Sequence, residues 1–482
     1  MEYKVGDIRN GTVVLPQDKR KKILLLSDDL RLFSGVATMS RTLVMGTAHH
    51  FNWVQLGAAI KHKDRGKILD LSDDISKKTG VEDPYVRVIP WEDYGNADIL
   101  RQIINTEEPD AILHFTDPHF WKWLYQIEHE IRQNIPIMYY TIWDNVGAPE
   151  NDFMMDPLYN RNFYESCDSL FCISKQTYGM AKRIMSMTDR PTWKPMEDWQ
   201  ISYVPHGINP EVFKPVSVPD KFKRQILGEK DYDFILFWNN VNSRRKQPAD
   251  LIHAYKRFCD RIGEISDSVC LLMHTNPIHR DGTDLYAVAD RINPKGDIKF
   301  STKKIPQEEL NYLYNLADCT INIANNEGFG LTTAESVMAG TPIIVNVTGG
   351  LQDQCGFTDN GVPITPDDYV ELGTLHNKKY EELLEYGNWV SPIWPNHHSI
   401  IGSPATPYIW EDRVAIDDIV NAIEILYSLD GKYRKQCGME GRKSFIKELG
   451  LTEADMSKML VDSINQTLKN WTPKKRYELF KL

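Results

Sequence analysis

The sequence predicts an α/β protein of two domains, each built on a mostly parallel sheet, on three observations. Short apolar, β-branched runs alternate with amphipathic stretches along most of the chain, the pattern of repeated strand–helix–strand units. At 482 residues the chain is long enough to bury two separate cores. Two strand-to-helix junctions, at Ser34-Gly35 and at Gly328-Phe329-Gly330, are glycine-bearing turns. Such turns present bare backbone N–H groups at a helix N-terminus, a geometry that favours a phosphate or another anion.

Composition sets the outer limits. With 41% hydrophobic and 26% charged residues the chain is an ordinary globular one. No apolar run approaches a membrane span, and the N-terminal MEYKVGDIRNG has no leader pattern, so a cytoplasmic location without membrane insertion is expected. The seven cysteines are odd in number, scattered and without a CxxC, as in a reduced protein. Net charge is 56 − 67 = −11, which argues against a surface that coats polyanions while leaving room for a local basic groove. No obligate protein partner is evident.

In chain order, Lys22–Ser27 reads as a buried strand, followed by the acids Asp28-Asp29, the Ser34-Gly35 turn and a helix through Met39, Leu43 and Val44. Phe51–Leu56, Val86–Ile89 and Ala111–Phe115 continue the strands. Ligands of parallel sheets sit at the carboxyl ends of strands. Two such ends are rich in functional groups, one with His114 and Asp117, the other with Trp143 and Asp144. Phe120, Trp121, Trp123 and Tyr125 have nearly helical spacing, which suits core packing better than a pocket lining. His49-His50, His119 and His129 have no metal-ligand spacing. This first domain is placed at residues 1–218.

The second domain is placed at 219–462. It opens with the strand Phe234–Trp238, the polar loop Asn239–Lys246 and a helix from Pro248 to Phe258. Asn240, Arg244, Arg245 and Lys246 lie where a strand delivers its loop to a ligand, so a site outweighs a solvated basic loop. Asp231-Tyr232-Asp233 precedes a strand and reads as a chance DxD. Cys319–Ala324 forms a strand, Asn325–Gly330 a tight turn, Thr333–Ala339 a helix and Pro342–Val347 another strand before Gly349-Gly350. Glu327 lies in the turn and Glu335 in the helix. Thr332-Thr333-Ala334-Glu335 is also a capping-box pattern, which leaves Glu335 open between a binding and a purely local role. The proline- and tryptophan-bearing stretch 361–412 reads as an insertion, functional or mobile. Lys474-Lys475-Arg476 reads as a solvated end.

The pattern E-G-F-G-L-x-x-x-E-x-x-x-A-G-x-P-I-I from Glu327 onward resembles the donor-site signature of the retaining GT-B glycosyltransferases, family 4 above all. Tyr203-Val204-Pro205-His206-Gly207 is similar to that family's interdomain segment. The resemblance implies two Rossmann-like domains facing across a cleft, with a C-terminal helix and tail, 463–482, returning to the first domain. It implies a nucleoside-diphosphate sugar, UDP-linked by expectation, as co-substrate, with no permanently bound cofactor and no metal. Glu327 then lies by the donor sugar, Glu335 on the ribose hydroxyls, and Gly328, Phe329, Gly330, Leu331 and Thr332 against sugar and diphosphate. Lys246 takes the family's lysine position. Asn240 stands where an arginine is usual, so Arg244 or Arg245 is expected to substitute. Gly35 approaches the diphosphate from the first domain, with Ser34 where a glycine is common, and Trp143 replaces a usual histidine on the acceptor side. The motif set also looks like transferases of large tailed phages, which suggests hydroxymethylcytosine in DNA as acceptor. A polysaccharide, lipid or small-molecule acceptor, a GT-B nucleotide-sugar epimerase and a non-catalytic binding protein are the alternatives.

Overall fold

The computed structural model describes residues 2–145, 149–150, 153–154, 158–189, 195–376 and 378–474. Lys475 and Arg476 of the basic tail lie outside them. The chain divides into two compact units, one of residues 1–143, 156–207 and 453–482, the other of 144–155 and 208–452. These changes fall earlier than the 218/219 and 462/463 of the sequence reading, for local reasons. Residues 208–218 are tied into the second unit. There Asn311 and Asn315 bond the backbone of Lys214, Asn315 also accepts from the Val216 N–H, and Arg442 reaches the carbonyls of Pro210 and Phe213. At the other change Glu453–Asn470 is one unbroken helix. It packs along Gly35–Thr47 within the first unit, where Gly46 leaves room for the Ser457 hydroxyl.

The first unit carries an eight-stranded sheet. From edge to edge its strands are Ile201–Tyr203, Ser169–Cys172, Ile137–Thr141, Ala111–Phe115, Lys21–Asp28, Phe51–Ala58, Val86–Pro90 and Leu69–Asp70. All neighbours are parallel except the last pair. Ile23 to Leu26 are fully buried, as befits a central strand covered on both faces. The chain leaves Lys21–Asp28 in one direction and returns on its other side at Ala111–Phe115. That reversal makes a switch point between their carboxyl ends.

The second unit has a six-stranded, wholly parallel sheet in the order Asp297–Ser301, Val269–His274, Phe234–Asn239, Cys319–Asn322, Ile343–Asn346, Val390–Ile393. Its first strand again lies beside the strand at which the chain reverses, so the second switch point falls between Asn239 and Asn322. The helix Pro248–Ile262 starts on a proline and ends at Gly263, which has φ +68°. It buries Leu251, Ile252, Tyr255, Phe258 and Cys259 at helical spacing against this sheet.

Residues 361–412, read as an insertion, are woven into this unit. They supply its edge strand Val390–Ile393 and an antiparallel hairpin, His397–Ile401 with Ile409–Arg413. Their aromatics are packing devices. Trp389 covers Gly356, Gly387 and Gly441, and its Nε1–H donates to Gln354 O at 3.0 Å. Trp394 Nε1–H donates to Leu375 O at 3.1 Å.

Candidate active site

At the switch point of the second unit two loops meet. One follows Phe234–Asn239, tightens into the short 3-10 turn Arg244–Lys246 and passes through Gln247, held at φ +52°. The Gln247 amide reaches across to Ile323 O at 2.8 Å and to the Asn325 side chain. The other loop is the glycine turn, Asn325–Gly330. Its shape is set from below by Gly349 and Gly350. A methyl group on Gly349 would strike Glu327 O, and one on Gly350 would strike Gly328 O and Phe329 Cα. The Gly350 N–H donates to Glu327 O at 2.9 Å. Two glycines are therefore required where backbone lies on backbone.

This packing brings Lys246 and Glu327 together. Lys246 Nζ is ion-paired with Glu327 Oε2, both side chains being largely buried, and Asn322 Nδ2 donates to the same oxygen at 3.2 Å. Burial lowers the Lys246 pKa, with Glu327 opposing. Burial also acts to raise the Glu327 pKa, but Lys246 and then Arg245 outweigh it and hold the carboxyl below its ordinary range. The ion pair lies at a strand end rather than inside the sheet core.

Arg245 extends along the same turn. It donates to Asn326 O and lies 3.8 Å from Asp144 Oδ2, whose pKa burial raises. Arg244 is exposed, with its backbone N–H on Asp281 O. Of the two arginines, Arg245 is the one beside Glu327. Asn240 sits at the loop's start, its amide Nδ2 buried without a hydrogen-bond partner.

The helix that follows the turn, Leu331–Met338, begins two residues earlier than expected. Its N-cap is Gly330, at φ +87°, with no side-chain cap. The capping box at Thr332–Glu335 is absent for that reason. Glu335 instead lies buried, its Oε2 accepting from the Tyr314 hydroxyl at 2.7 Å. Burial pushes its carboxyl up to about 7. Gln354 Nε2 holds the carbonyls of Phe329 and Gly330, and the Phe329 ring is buried, so only backbone faces outward at that point. Leu331 and Thr332 are partly exposed.

In the first unit Gly35 opens its helix, but Ser34 caps it, accepting from Ala37 N–H and donating to Asp28, both at 3.1 Å. His114 and Trp143, expected on the acceptor side, are core residues. The His114 ring is fully buried, stacked on Tyr139 and bonded through Nδ1 to the Tyr125 hydroxyl, and burial drives its pKa down to about 3. Trp143 is enclosed by Tyr159 and Tyr164. Aromatic clustering explains both placements: Trp121 and Tyr125 pack around His114 rather than lining a pocket. Asp117 is half exposed and engaged with His119.

The asparagines that hold the turn escaped the sequence reading. Asn346 Nδ2 donates to Ala324 O and Asp412 O, Asn325 Nδ2 to Glu411, and Asn326 Nδ2 to Trp410 O. The Asp412 N–H donates to Asn325 O at 3.0 Å. Their common signal was an excess of buried amide groups around one turn, visible only once the hairpin is in place.

Residues 219–378 match the family profile described as "Glycosyl transferases group 1". The chain is similar to D-inositol 3-phosphate glycosyltransferase of Nocardiopsis dassonvillei, 30% identical over 216 residues, covering 40% of this chain and 47% of that protein. It thus spans about half the length of the curated relatives it matches. Among solved structures it resembles sucrose-phosphate synthase from Thermosynechococcus elongatus, with a TM-score of 0.63 at 15% identity over 93% of this chain and 100% of the other. It also resembles the E. coli trehalose-6-phosphate protein bound with UDP-2-fluoro glucose, with a TM-score of 0.60 at 12% identity over 94% and 100%. The fold is that of the GT-B glycosyltransferases, and the second unit carries the group 1 sequence pattern across its candidate site.

Proposed function

We propose that the protein transfers a sugar from a nucleoside-diphosphate sugar, UDP-linked in the first instance, to a hydroxyl acceptor with retention of anomeric configuration. One observation carries the reading: the Lys246–Glu327 ion pair at the switch point, inside the segment that matches the group 1 profile. Lys246 and Arg245 beside the start of Leu331–Met338 supply positive charge where the departing diphosphate gathers negative charge. Preorganised charge of that kind is usually the largest catalytic term. Glu327 orients donor hydroxyls, Glu335 with Tyr314 receives the ribose, and Gly328 to Thr332 lie against the phosphates. The leaving phosphate takes the acceptor's proton on the same face. Gly35, Asn240 and Arg244 are donor-side candidates of lower rank, and Asp117 and Asp144 are the acceptor-side candidates that remain accessible.

The name of the curated relatives, D-inositol 3-phosphate glycosyltransferase, supports a phosphorylated polyol as the acceptor class. None of them is named for DNA, and hydroxymethylcytosine stands as one candidate acceptor beside phosphorylated polyols. Among the described residues no helix is long and apolar enough to cross a membrane. The test incubates the protein with UDP-, GDP- and ADP-sugars against inositol phosphates, hexose phosphates and hydroxymethylcytosine DNA, reading acceptor mass. A sugar-sized gain on one acceptor with matching nucleotide release is expected. Absence of both gain and nucleotide release with every donor would sink the transferase reading.

A further inference from the structure

Three residues from separate parts of the second unit converge beside the site. His398 and Asp412 are direct cross-strand partners in the hairpin, so their side chains share one face. His376 comes from the segment after the short helix Asp368–Leu372. His398 Nδ1 lies 2.8 Å from Asp412 Oδ1, and His376 Nδ1 lies 3.0 Å from Asp412 Oδ2. One nitrogen or oxygen from each of the three residues lies within 4.8 Å of the others. Thr348 Oγ1 donates to Asp412 Oδ2 at 2.7 Å and fixes the carboxylate from behind.

Burial makes this more than a hydrogen-bonded trio. His376 is fully buried, Asp412 is 3% exposed, and His376 Nε2 has no hydrogen-bond partner. Among the described residues no lysine or arginine stands within ion-pair distance of Asp412; Arg413 is turned to Glu411. A buried carboxylate needs a compensating charge. Two imidazole nitrogens and one carboxylate oxygen are a donor set for a borderline-soft divalent ion. An outer hydroxyl that orients the carboxylate is the support such sites use. His398, about a quarter exposed, leaves a side on which water completes the shell.

We propose that His376, His398 and Asp412 bind one divalent transition-metal ion of the zinc type, which fastens the hairpin to the turn bearing Glu327. The link is short: the Asp412 N–H holds Asn325 O, and the neighbouring Trp410 O receives Asn326. The ion is structural, stands outside the transfer chemistry, and does not depend on the transferase reading.

The test uses the whole chain, stripped with chelator and dialysed, with zinc chloride and cobalt chloride as probes. Calorimetry is expected to give one zinc per chain and cobalt a visible ligand-field band, with Tm rising on metal addition. His398→Ala, at the exposed edge of the cluster, is expected to bind zinc more than about 100-fold more weakly while its metal-free Tm stays close to wild type. Should Asp412→Asn fail to fold, the cobalt spectrum of wild type against His398→Ala decides. Absence of saturable binding to folded wild type, or equal binding by His398→Ala, would overturn the proposal. Both readouts are independent of turnover, so failure of the transferase reading leaves the metal result intact.

Discussion

Glu335 and Glu327 are two carboxylates eight residues apart in one motif, and their surroundings push them in opposite directions. Glu327 faces a lysine and an arginine and stays ionised; Glu335 faces a hydroxyl and holds its proton up to about pH 7. The sign for stability follows. Unfolded, Glu335 titrates near 4.5; folded, near 7. Its favourable neutral form is fully effective below about 4.5 and is lost as pH rises through about 7. Between pH 5 and pH 8 the ligand-free wild type is expected to lose up to about 3 kcal/mol more than Glu335→Gln, read by urea unfolding. Parallel profiles for the two proteins would show that Glu335 is already ionised.

At the scale of elements, the glycine turn is shaped less by its own residues than by what lies under it. Gly350 allows backbone to rest on backbone, and Gly350→Ala places a methyl group against Gly328 O and Phe329 Cα. That overpacking is expected to cost about 1–3 kcal/mol and to lower turnover at least tenfold by shifting Glu327. Gly431→Ala, whose methyl meets only ordinary contact with Arg434, is the control and should change neither. Unchanged turnover in Gly350→Ala would mean that the turn is not held from below. The turn and helix around Glu327 were legible because glycines, a helix stop at Gly340-Pro342 and β-branched strands are local signals. The Val390–Ile393 strand was not, because Pro392 inside it, Pro395 just after it and so short an apolar run look like loop. An edge strand tolerates that sequence because only one side of it needs a partner.

In the whole molecule, two parallel sheets each reverse direction once, and each reversal brings two loops to one end of its sheet. Alternation of strands and helices made that architecture readable. His114 and Trp143 lie in the core, against the sequence reading, because their polar rings are held by neighbouring aromatics, a long-range fact with no local signature. In the second unit Lys246, Arg245 and Glu327 converge at the strand ends where the sequence reading expected a site. The account stands on the Lys246–Glu327 pair. Removing one partner of a buried ion pair costs about 3–5 kcal/mol, so Glu327→Gln, which keeps the shape and the Asn322 contact, is the informative change. The measurement is nucleotide release and acceptor glycosylation by Glu327→Gln against wild type, with circular dichroism and Tm to certify folding. A loss of at least about 100-fold in turnover with the fold retained is the predicted result. Turnover within a few-fold of wild type would contradict the assignment of this pair as the reacting centre.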